Sequence, residues 1–207
     1  MLNNSDSLII VLHEIYGINS HMNSVIENFS TAGYDVVCPN LIGLSGPFDY
    51  EQQDIAYQHF MMNVSFERAA QQVKNLIAKA SSQYKHIFLL GYSIGATIAW
   101  LCSEGNNLCS GVIGYYGSRI RDYIEVAPNC PVLLVFPTQE KTFNVKSFVC
   151  SFEKKNVDVH MLDGKHGFAD PFSESYCETS FQEANKLVHN FLQRSIRQSK
   201  QADYPIK

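Results

Sequence analysis

The 207-residue chain has no Cys-x-x-Cys pair, no block of like charges, no internal repeat and no low-complexity segment. Each absence excludes a class of protein. No run approaches the roughly 18 apolar residues of a membrane span. The 16 basic residues are scattered among 20 acidic ones for a net charge of -4. Surfaces for nucleic acid or anionic membrane instead cluster Lys and Arg, so neither partner is expected. The start, Met1-Leu2-Asn3-Asn4-Ser5-Asp6, lacks the basic stretch and apolar core of an export signal, and a cytoplasmic location is expected. Cys38, Cys102, Cys109, Cys130, Cys150 and Cys177 stand far apart, several of them in apolar runs. A chain of this size has no need of disulfide staples, and metal ligands usually come in close pairs. Buried structural thiols are therefore expected, and no metal or cofactor is implied.

What is present is material for a packed core, with 45% hydrophobic and 17% charged residues. The length suits one domain over residues 1–207, with 198–207 as a polar tail after Arg197. Short apolar runs recur at Leu8–Leu12, Asp35–Cys38, His86–Leu90, Gly111–Tyr115, Val132–Phe136 and Val157–Met161. Helical patterns lie between them. That alternation predicts an α/β fold, a mostly parallel sheet of about six or more strands with helices on both faces. Apolar faces at i, i+3, i+4 spacing mark helices through Met22, Val25, Ile26 and Phe29, through Ala69, Val73, Leu76, Ile77 and Ala80, and through Phe181, Ala184, Leu187, Val188, Phe191 and Leu192. Ser180-Phe181-Gln182-Glu183 reads as a capping box opening the last helix. Leu41 to Tyr57 lacks periodicity and reads as a long loop leading to a short helix, of the kind that walls a pocket.

Gly91-Tyr92-Ser93-Ile94-Gly95 lies between the run His86–Leu90 and the helical pattern Ala96–Leu101. Strand, serine and helix in that order form a nucleophile elbow, where flanking glycines let helix and strand approach. A serine hydroxyl needs a base to take its proton and an acid to orient that base. Glu140 follows the run Val132–Phe136 and His166 follows Val157–Met161. Ser93, Glu140 and His166 thus stand in the order of an α/β-hydrolase triad, with Asp163 and Asp170 as alternative acids. The chain has seven histidines. His21 and His189 fall within helices, His86 and His160 in strands, and all four read as solvent-facing or satisfied in the core. His59 reads as a surface residue of the pocket-wall segment. An oxyanion hole needs two donors. The Ile94 N–H is one candidate, and the Ile15 N–H, in the loop His13-Glu14-Ile15-Tyr16-Gly17-Ile18-Asn19, is the other. Asn19 or Ser20 would cap the helix that follows.

Three separated stretches resemble the dienelactone hydrolase family: that early loop, Gly91-Tyr92-Ser93-Ile94-Gly95-Ala96, and His166-Gly167-Phe168-Ala169. Tyr115-Tyr116-Gly117 is similar too. The resemblance implies an α/β-hydrolase fold and hydrolysis of an ester or lactone through an acyl-enzyme. It also implies oxyanion donors at Ile15 and Ile94, a buried carboxylate, Glu14, near the nucleophile, and Gln139-Glu140 matching the family's Gln-Asp. Ser93 stands where the family carries cysteine, so His166 must act as an ordinary general base. Asp170 stands where the family keeps an arginine for the substrate carboxylate, so a neutral or cationic small-molecule ester is expected. Tyr16, Tyr116 and Phe168 are candidate apolar pocket walls, and Arg119 is either an anion site or a surface residue. A thioesterase or peptidase with the same triad, and a non-catalytic binding member of the fold, remain as alternatives.

Overall fold

The computed structural model describes residues 5–105, 108–152 and 157–203, with backbone alone for 199–203. Among the described residues six strands form one all-parallel sheet: β1 (Ser7–Leu12), β2 (Asp35–Val37), β3 (His86–Tyr92), β4 (Gly111–Tyr115), β5 (Val132–Gln139) and β6 (Val157–Lys165). Their spatial order is β2-β1-β3-β4-β5-β6. The chain leaves β1 toward one edge of the sheet and leaves β3 toward the other. The loops after these neighbouring strands therefore diverge and open a crevice at their C-terminal ends, the usual ligand site of open α/β sheets.

Right-handed crossovers place helices that move in opposite directions on opposite faces. α1 (Ser20–Thr31) and α6 (Glu178–Asp203) cover one face, and Met22, Val25, Ala184, Val188 and Phe191 pack there against Ile9, Val11, Phe88 and Leu90. α3 (Phe66–Ala80) and α4 (Ile94–Cys102) cover the other, with Val73, Ile77, Ile98 and Trp100 against Leu8, Ile10, Leu12 and Leu89. Because β1 and β3 are buried on both sides, their sequences are continuous apolar runs without alternation. α2 (Gln53–His59) continues into a π-helical turn, Phe60–Val64, and α5 (Val145–Val149) lies between β5 and β6.

Several sequence expectations change. β5 and β6 run three and four residues beyond their apolar cores, to Gln139 and Lys165. Between Pro137 and Gln139 their register shifts, so that Pro137 faces Leu162 while Gln139 faces Lys165. Pro137 has no N–H to give the ladder, and the bulge falls where that donor is missing. α6 starts at Glu178, so Ser180 is inside its first turn, donating to the Asp163 carbonyl at 2.6 Å and not acting as a cap. The helix also continues through the first part of the expected polar tail, to Asp203, because Arg, Gln, Lys and Ala favour helix despite their polarity; residues 204–207 lie outside the described residues. All six cysteines are free, but only Cys102 is buried, and Cys150 is exposed.

Candidate active site

Ser93 sits at the junction of β3 and α4 with φ 54° and ψ -113°. A non-glycine residue at positive φ costs on the order of 1–3 kcal/mol and persists only where its surroundings enforce it. Here the neighbours enforce it. A Cβ on Gly91 would run into the Gly95 carbonyl, and one on Gly95 into the Leu12 carbonyl. The start of α4 therefore rests directly on the end of β1, beside the loop that begins at His13. The Ser93 N–H donates to the Tyr115 carbonyl at 3.0 Å, which fixes the turn to β4.

The hydroxyl of Ser93 meets His166 Nε2 at 2.9 Å, and His166 Nδ1 meets Glu140 Oε1 at 2.7 Å. The strand register accounts for the second contact. Gln139 pairs with Lys165, so the next residue on each chain, Glu140 and His166, leaves the sheet side by side. The Glu140 side chain is 6% exposed and that of His166 38%, a shielded acid beneath an accessible imidazole. Of the alternative acids, Asp163 accepts from Thr138 Oγ1 at 3.1 Å and from the Gly164 N–H at 3.0 Å, and Asp170 accepts from the Tyr50 hydroxyl at 2.5 Å and the Phe172 N–H at 2.8 Å. Glu140 is thus the carboxylate in contact with His166.

The loop after β1 brings the other expected residues to the same edge. Among the described residues no carbonyl accepts from the Ile15 or Ile94 N–H. Gly17 turns the loop at φ +86°, and Asn19 Oδ1 caps α1 by accepting from the Met22 N–H at 3.1 Å. His13, whose role the sequence did not reveal, is fully buried and ties this loop to the long one. Its Nε2 accepts from the Leu41 N–H at 2.9 Å, and its Nδ1 lies 2.6 Å from the Glu14 carbonyl. An amide N–H can only donate and a carbonyl only accept, so the ring is neutral with its proton on Nδ1. Burial, which pushes the His13 pKa below its ordinary value, acts in the same direction. The Phe48 N–H adds a bond to the Tyr16 carbonyl at 2.8 Å, and His59 Nε2 lies 2.9 Å from the Ile42 carbonyl. His59 thus anchors the pocket-wall loop, a more specific role than a free surface histidine.

Tyr16 is half-buried, with its ring edge-on to Tyr50 at 4.8 Å. Tyr116 and Phe168 are 0% exposed, which corrects their assignment as pocket walls. They pack behind the triad histidine instead: the Tyr116 ring lies 4.9 Å from that of His166 and 5.6 Å from that of Phe168. Arg119 is ion-paired with Asp122 at 2.9 Å, leaving its guanidinium less free for an anion than a solvated arginine would be.

Glu14 is buried as expected, and it lies beside His21 and Asp170. Burial raises the Glu14 pKa, yet His21, helped by His166 and Tyr116, outweighs it and the net shift is downward. For Asp170 burial prevails over His21 and Tyr50, and the net shift is upward. His21 itself is 1% exposed, so it is not solvent-facing; its Nδ1 stands at ion-pair distance from both carboxylates, with no hydrogen-bond partner on either ring nitrogen.

A parallel sheet with a strained serine elbow, a histidine after the last strand and a carboxylate on the far side of that histidine defines an α/β-hydrolase fold. Residues 3–196 match the model of the dienelactone hydrolase family, and the chain belongs to that family. It is 36% identical to the uncharacterized protein YczH of Bacillus subtilis, over 92% of this chain and 94% of that protein. It is 23% identical to a carboxymethylenebutenolidase of a Pseudomonas species, over 90% of this chain and 84% of the relative. The crystal structure of a putative dienelactone hydrolase from Klebsiella pneumoniae superposes with a TM-score of 0.72 at 17% identity, covering 90% of this chain and 86% of that one. Membership supports a hydrolase of small-molecule substrates. Among the described residues no helix is long and apolar enough to cross a membrane.

Proposed function

We propose that the protein is a serine hydrolase that cleaves a carboxylic ester or lactone through an acyl-enzyme. The observation that carries this reading is the continuous line of contacts Ser93 Oγ–His166 Nε2–His166 Nδ1–Glu140 Oε1 at 2.9 and 2.7 Å. Ser93 Oγ attacks the carbonyl carbon while His166 Nε2 takes its proton. Glu140 holds the imidazole in the Nδ1–H tautomer and stabilises the imidazolium that forms. The tetrahedral oxyanion sits against the N–H groups of Ile94 and Ile15. Collapse breaks the ester C–O bond, and the leaving alkoxide takes the proton from His166. Water, deprotonated by the same histidine, then releases the acid and restores Ser93.

Asp170 stands where the resemblance places the family's substrate-binding arginine, and Arg119 is paired with Asp122. A neutral or cationic ester therefore suits this chain better than an anionic dienelactone. The six free thiols fit a reducing compartment such as the cytoplasm. A panel of neutral aryl esters, thioesters and anionic lactones, assayed with wild type and Ser93→Ala, tests the reading. Hydrolysis of neutral esters that vanishes in the variant supports it. A clear preference for the anionic lactone contradicts the charge argument, and activity that survives in Ser93→Ala contradicts the mechanism.

A further inference from the structure

We propose that Glu14, His21 and Asp170 form a binding site for one divalent transition-metal ion of the zinc type. All three residues are buried, and one ligand atom from each lies within 4.8 Å of the others. His21 Nδ1 stands 3.6 Å from Asp170 Oδ2 and 3.9 Å from Glu14 Oε2. These separations are too long for N–H···O hydrogen bonds, which run to about 3.2 Å. They suit two ligands on one ion: bonds of about 2.0–2.2 Å put donors roughly 3 to 4 Å apart, depending on the angle between them. Independently, both nitrogens of the His21 ring are buried and lack a hydrogen-bond partner, although buried polar groups are nearly always satisfied. An imidazole nitrogen and two carboxylates form a mixed donor set that suits zinc and its first-row neighbours.

The surroundings have the features of a supported site. Asp170 is oriented by the Tyr50 hydroxyl on Oδ2 and the Phe172 N–H on Oδ1, and Asn19 Nδ2 donates to the Tyr50 hydroxyl at 3.2 Å. Such outer hydrogen bonds fix the direction of a ligating carboxylate. A groove of about 340 Å³ between α1 and α6, lined by Val25, Phe29, Tyr92 and Leu192 among others, is bordered by the His21 side chain. An ion held there would join the loop after β1, the first turn of α1 and the turn after His166. The site departs from the sequence expectation that no metal is implied, because its ligands come from three segments with no pairwise spacing. It does not depend on Ser93.

Titrating the chelator-treated full-length protein with Co²⁺, followed by visible ligand-field absorption, tests the proposal. The expected result is one saturable band per chain, displaced by Zn²⁺, absent in folded His21→Gln and Asp170→Asn and retained in Ser93→Ala. Circular dichroism establishes that the variants are folded. Tyr50→Phe, which removes only the hydroxyl that donates to Asp170 and accepts from Asn19, should weaken Co²⁺ about tenfold, and it decides the matter if the ligand variants do not fold. No saturable band in wild type overturns the site. So does unchanged affinity in Asp170→Asn or Tyr50→Phe, which would put the ion on a surface pair such as His160–Asp158.

Discussion

His166 and His21 both stand among acidic side chains, and the contrast between them separates a proton-transfer array from a charge cluster. His166 has a directed partner on each nitrogen, Ser93 on one side and Glu140 on the other, and its ring is partly open to solvent. His21 has two carboxylates at ion-pair distance, no hydrogen bond and almost no exposure. Proton transfer requires hydrogen-bond contact along a line, with access for substrate. Only the first arrangement offers that. The second concentrates negative charge around one nitrogen, which suits the holding of a cation.

The sharpest way to break the comparison is to remove the line's end. Ser93→Ala should lower kcat on a neutral aryl ester by on the order of 10⁶, and adding His166→Ala should cost little more, since such residues act as a unit. Steady-state assays of the single and double variants check this. Glu140→Gln keeps the shape of the acid but loses its charge and tautomer control, so kcat should fall by about 10⁴. A fall of less than tenfold would move the orienting role elsewhere. A third histidine sharpens the contrast from another side. His13 has two directed bonds, neither of them to a carboxylate, and His13→Ala leaves the Leu41 N–H and Glu14 carbonyl without it. Two buried backbone groups at about 1–3 kcal/mol each predict a loss of roughly 3 kcal/mol in urea unfolding. Asp163 is closest to His166 in sequence of the three candidate acids but bonds to Thr138 and Gly164. Asp163→Asn should change kcat by no more than about twofold, within the range of ordinary surface substitutions.

The parts of the site visible in the sequence are those whose geometry follows from chain order. In a parallel sheet the loops after successive strands line one edge, so the order Ser93, Glu140, His166 already implies a shared edge. The elbow was legible because its glycines answer a local steric demand. Glu140 was harder to choose over Asp163 and Asp170, since the choice rests on the Gln139–Lys165 register beyond the Pro137 bulge. An apolar run cannot announce strand residues past its own end. His21 and Tyr50 stayed hidden for a different reason. Tyr50 meets Asp170 across 120 residues of sequence, and nothing near either one marks the contact. The burial of Tyr116 and Phe168 likewise comes from packing of β4 against the turn after His166, where a motif can place an aromatic near a site but not above or beneath it.

The most direct test of the central claim is covalent labelling by a fluorophosphonate probe, followed by peptide mapping of the intact protein's adduct. A serine activated by His166 and Glu140 should carry one probe, on the peptide containing Ser93, with labelling lost in Ser93→Ala and strongly slowed in Glu140→Gln. Failure of the wild type to label, or equal labelling of Ser93→Ala, would contradict the account.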